Sequence, residues 1–94
     1  MQEIEINIGG RGNNLAVLRS VDEAIKTCHL RITLKTSLRA FPGSTHWHVK
    51  NGRMPGTLEI TWWPKQRGVW FSIQDGRKAD WIDAAISALG KSIR

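Results

Sequence analysis

The sequence has no tyrosine, one cysteine, three prolines and two phenylalanines in 94 residues. A single cysteine, Cys28, excludes an internal disulfide, so a reducing cytoplasm is the expected location. Nothing approaches the run of about 20 apolar residues that a spanning helix requires, so no membrane partner is expected. The opening MQEIEINIGG has no basic stretch followed by an apolar one and does not read as a signal peptide. Cys-x-x-Cys and His-Glu-x-x-His are missing, and the Gly9-Gly10-Arg11-Gly12 loop lacks both the Gly-Lys-Ser/Thr ending and the G-x-G-x-x-G spacing, so the common local signatures of zinc, metalloprotease and nucleotide sites are not met. Low-complexity segments and internal repeats are missing as well. Acidic residues are scarce, 8 against 14 basic ones, for a net charge of +6. A pI near 10.3 favours polyanionic partners.

What the chain has instead is tryptophan. Four of its five tryptophans (Trp47, Trp62, Trp63 and Trp70) fall between Ser44 and Ile73, together with His46, His48, Lys50, Arg53, Lys65 and Arg67. Trp62 and Trp63 are neighbours, so on a strand they leave from opposite faces. At most one enters a core one layer thick. The other is covered by a helix, a partner or a nucleic acid, or it stays exposed.

The chain is long enough for one small domain, with residues 1–19 as an N-terminal strand and glycine-rich loop that is either part of it or an appendage. Ile4, Ile6 and Ile8 alternate with Glu3, Glu5 and Asn7, the pattern of a half-buried strand. Gly9 to Asn14 reads as a turn, and Leu15–Arg19 is too short to classify. Ser20 and Glu23 have the spacing of a capping box, and Pro42-Gly43 is a stop. Between them Leu34, Leu38 and Phe41 keep helical spacing, which favours one long helix. Leu30, Ile32 and Leu34 also alternate, so the second reading is a short helix giving way to a strand near His29. Thr45–Lys50, Thr57–Trp63 and Val69–Ile73 are expected strands, the last two a hairpin closed by Pro64–Gly68. Ile82, Ala85, Ile86, Leu89 and Ile93 form the stripe of a final helix that starts near Lys78 or Asp80, with Asp80 as its N-cap. The expected class is α+β: strand, helix, three-strand antiparallel meander and C-terminal helix, with the helices on one face of the sheet.

Arg77-Lys78 followed by Ala84-Ala85 and Ala88-Leu89 resembles the last helix of the double-stranded-RNA-binding domain. That resemblance implies phosphate contact by the two basic residues. The sequence departs from the family at Asp80 and Trp81, and it has no Gly-Pro-x-His loop between Lys50 and Thr57.

His46 and His48, at i and i+2, share a strand face and hold a metal if Glu59, His29 or Cys28 supplies a third ligand. Without a local signature the reading assigns no metal and no cofactor. Cys28 lies on an apolar face without an arranged base, so no catalytic residue is assigned. The function that composition favours is non-enzymatic nucleic-acid binding. Trp47 and either Trp62 or Trp63 would stack on bases, and Lys50, Arg53, Lys65, Arg67, Arg77 and Lys78 would meet phosphates. The alternative is a protein-interaction or homodimerisation module that uses the same face.

Overall fold

The computed structural model describes residues 1–8 and 12–94, so part of the expected Gly9–Asn14 turn lies outside the described residues. The chain forms β1 (Gln2–Ile6), α1 (Asn14–Thr27), β2 (Arg31–Leu38), β3 (Phe41–Lys50), β4 (Leu58–Trp63), β5 (Gly68–Ile73) and α2 (Trp81–Ile93). The five strands make one antiparallel sheet in the order β1-β5-β4-β3-β2. The α+β class holds. The meander has four strands rather than three, and the N-terminal strand joins the sheet beside β5.

The extra strand is where the favoured long helix fails. α1 begins earlier, at Asn13, whose side chain accepts from the Ala16 N–H at 2.8 Å. Ser20 is no cap: its hydroxyl bonds back to the Ala16 carbonyl within the helix. α1 ends at a left-handed His29 (φ 58°), where the His29 N–H reaches Lys26 O and the Leu30 N–H reaches Ile25 O. This pair of bonds is the Schellman closure. Glycine usually marks it, and histidine in that place hid the helix end. β2 then runs as an edge strand, exposed along almost its whole length. Ile32 and Leu34 are 41% and 44% exposed while Leu38 and Phe41 are half-buried, so the apolar spacing that suggested a buried helix face does not mark one.

Both helices cover the same side of the sheet. Val17, Val21, Ala24 and Ile25 of α1 and Trp81, Ile82, Leu89 and Ile93 of α2 share one core with Trp47, Ile60, Trp62 and Phe71. Register explains the choice of face. Trp47 pairs with Ile60, Ile60 with Phe71 and Phe71 with Ile4, and directly paired residues point to the same side. Asp22 ties three elements together at one corner. It accepts from Trp47 Nε1 at 2.9 Å and from Lys35 Nζ at 2.9 and 3.1 Å. Asp80 stands at the N-cap of α2 but makes no capping hydrogen bond. Trp81 anchors that end instead, donating from Nε1 to Pro55 O at 2.7 Å. No helix among the described residues is long and apolar enough to cross a membrane.

Candidate functional site

The alternate residues of each strand form the face that neither helix covers. Two rows cross it. Thr36, His46, Thr61, Trp70 and Glu5 make one, and Leu34, His48, Glu59, Ser72 and Glu3 the other. Polar side chains fill the middle of these rows, and their neighbours pack tightly enough to bury His46, Glu59, Thr61 and Ser72.

At the centre, three side-chain atoms converge. His46 Nε2 lies 3.2 Å from His48 Nε2 and 3.2 Å from Glu59 Oε1, and His48 Nε2 lies 3.8 Å from the same oxygen. The other nitrogen of His46, Nδ1, is 2.8 Å from Thr61 Oγ1. Arg77 Nη1 approaches the second carboxylate oxygen, Glu59 Oε2, at 3.8 Å. Burial pushes the His46 imidazole below its usual pKa; the Glu59 carboxylate opposes that shift and His48 adds to it. The His46 side chain is 7% exposed, Glu59 8% and His48 22%, so the cluster opens to solvent mainly past His48.

Beside it lies an aromatic group. Phe41 sits edge-on to Trp63 (centroids 4.9 Å apart) and to Trp70 (5.2 Å). Trp63 Nε1 donates to Pro42 O at 2.9 Å, which fixes the ring. All three residues are half-buried.

The expected stacking residues divide by face. Trp47 (0% exposed) and Trp62 (2%) are sealed beneath the helices and have no ring face to offer a base. Of the pair at 62 and 63, Trp63 is the one on the uncovered side. Trp70 and Phe41, which composition did not place in a site, stand with it.

The basic residues divide by end. Lys50, Arg53, Arg77 and Lys78 gather where β3 leads into β4 and β5 leads toward α2, while Lys65 lies past the opposite end of β4. A six-residue strand separates the two ends by roughly 20 Å. Lys50 donates to Gly56 O at 3.0 Å. Arg67 belongs to the covered side: it reaches Asn14 Oδ1 and Gly12 O, and its guanidinium lies 5.7 Å from the Trp62 ring. That makes it a tether for the start of α1 rather than a phosphate contact.

The chain is a small α+β sheet domain with one open, partly aromatic face. No family model, no curated protein and no solved structure matches the chain. Glu59 was legible in the sequence as a third ligand. Thr61 was not, because its place opposite His46 depends on the β3–β4 register.

Proposed function

We propose that the uncovered face binds single-stranded nucleic acid. The observation that supports this reading is the group formed by Trp63, Trp70 and Phe41, half-exposed on the helix-free face of the sheet with cations at both ends. Bases stack on such rings regardless of sequence, and phosphates meet the basic rim. Arg53, Arg77 and Lys78 at one end and Arg39 and Lys65 at the other are exposed and serve as the rim. Glu3 and Glu5 flank Trp70 on the same face. They repel phosphate, so the strand runs over β3 and β4 and avoids β1. A cytoplasmic location belongs to the same reading.

Binding of mixed-sequence single-stranded RNA or DNA should quench tryptophan fluorescence, and the Trp70→Phe chain should lose much of that change. The slope of log K against log salt should be about −2 to −4, set by three to five phosphate contacts. Lys65→Glu with Arg53→Glu should weaken binding to all sequences alike, since phosphate contacts carry no base information. Trp63→Ala should cost roughly 1–3 kcal/mol of binding. Glu3→Gln with Glu5→Gln should strengthen it. If quenching and salt dependence are both missing at low ionic strength, the reading fails. A sedimenting mass of twice 10.6 kDa would then assign the same aromatic face to a homodimer.

A further inference from the structure

We infer that His46, His48 and Glu59 form a binding site for one zinc-like divalent transition-metal ion, held by His46 Nε2, His48 Nε2 and Glu59 Oε1. This goes beyond the nucleic-acid reading and does not depend on it.

The first support is metric. The three ligand atoms are 3.2, 3.2 and 3.8 Å apart. Bonds of about 2.1 Å in a tetrahedral site place ligand atoms about 3.4 Å from one another, whereas neighbouring octahedral positions would be about 3.0 Å apart. The mean of the three separations agrees with the tetrahedral value. An ion about 2.1 Å from each atom sits about 0.7 Å out of their plane, as it does over one face of a tetrahedron. Two imidazoles and one carboxylate are also a ligand set that zinc accepts.

The second support is the outer shell. A ligating histidine usually passes its other N–H to a fixed acceptor, which sets the tautomer and aims the free lone pair at the ion. The buried Thr61 hydroxyl, 2.8 Å from His46 Nδ1, fills that role.

A proton on His46 Nε2 bonds Glu59 Oε1 while Nδ1 accepts from the Thr61 hydroxyl, but it serves one pair of the three converging atoms. An imidazole N–H points in a single direction, whereas three lone-pair atoms converge on one point in a nearly closed pocket. If His46 donates from Nδ1 to Thr61, its bare Nε2 faces the Glu59 carboxylate at 3.2 Å. A cation between them removes that conflict and serves all three atoms. Three protein ligands leave a fourth position free, and the partial exposure of His48 directs it to the uncovered side of the sheet. Arg77, beside Glu59 Oε2, keeps the carboxylate monodentate through Oε1, and its charge opposes the ion.

The test is equilibrium dialysis of the purified full chain against Zn2+, with Co2+ as a spectroscopic probe. One equivalent should bind, and Co2+ should show the strong visible absorption of a four-coordinate site. Thr61→Val should weaken binding by about 10- to 100-fold, the usual loss with an outer partner, and His48→Ala by more than that. Arg77→Gln should tighten metal binding while it weakens any nucleic-acid binding, which separates this proposal from the preceding one. The Arg77 variant changes an exposed side chain, so it keeps the test open if the His48 variant fails to fold. Less than a tenth of an equivalent of Zn2+ on folded protein would overturn the proposal. Binding that survives His48→Ala unchanged would overturn it too, because the ion would then sit elsewhere.

Discussion

For a single side chain, the direction in which it leaves the strand decides its role. Trp47 and Trp63 have the same chemistry, yet one is fully buried and the other is half-open beside Phe41. Trp47→Ala should therefore destabilise the protein by about 3–5 kcal/mol in urea unfolding, as expected for a large buried aromatic. A loss under about 1 kcal/mol would mean that the ring is not packed as described. Gly56 is a second residue with no freedom to change. Its φ is +99°, and a Cβ placed there would lie 2.6 Å from the Ala79 Cβ and 3.0 Å from Arg77 O. Gly56→Ala should cost more than about 1 kcal/mol, since strain and collision act together where L-residues rarely go. Equal midpoints for wild type and variant in denaturant would contradict this.

Between elements, the informative place is the passage from α1 to β2. Residues 20–41 carry helical spacing at Leu34, Leu38 and Phe41 and strand alternation at Leu30, Ile32 and Leu34. The chain resolves the conflict by closing α1 at His29 and extending from Arg31. Once closed there, the β-branched Ile32, Thr33 and Thr36 take the extended form they favour. The left-handed His29 carries a strain that glycine would not. His29→Gly should raise stability by about 0.5–1 kcal/mol, allowing for the greater chain entropy that glycine adds to the unfolded state. A destabilised variant in thermal or urea unfolding would show that the imidazole, not the backbone, is what matters at that turn. The meander β3–β4–β5 was easier to read, because Thr57–Trp63 and Val69–Ile73 combine dense β-branched and aromatic residues with a turn at Pro64–Arg67.

The whole molecule is a single sheet whose two faces have different tasks. All apolar burial from both helices goes to one side, in one connected core. Unfolding should then be a single cooperative transition, with far-UV circular dichroism and tryptophan fluorescence changing at the same denaturant concentration. Separate transitions would mean that β1 and α1 fold as a unit apart from the meander. The uncovered face is free of that duty, and there the chain places His46 and His48, the Glu59 carboxylate beside them and its half-exposed aromatic rings.

The α+β class and the last three strands were legible in the sequence, because period-two alternation and turn residues act over a few neighbouring positions. So was the rule that Trp62 and Trp63 must part company, since the geometry of a strand allows nothing else. Local pattern did not decide which of them faces the core. That depends on where α1 and α2 dock, and hence on contacts between residues far apart in the chain. The division of Lys65 from Arg53 and Arg77 has the same origin: nearness in sequence says little about which end of a sheet a loop occupies. The meeting of His46, His48, Glu59 and Thr61 is the clearest case. Two histidines at i and i+2 are a local fact, but the register that sets Glu59 opposite His48 and Thr61 opposite His46 belongs to the sheet. A slip of one residue would have turned both partners to the other face.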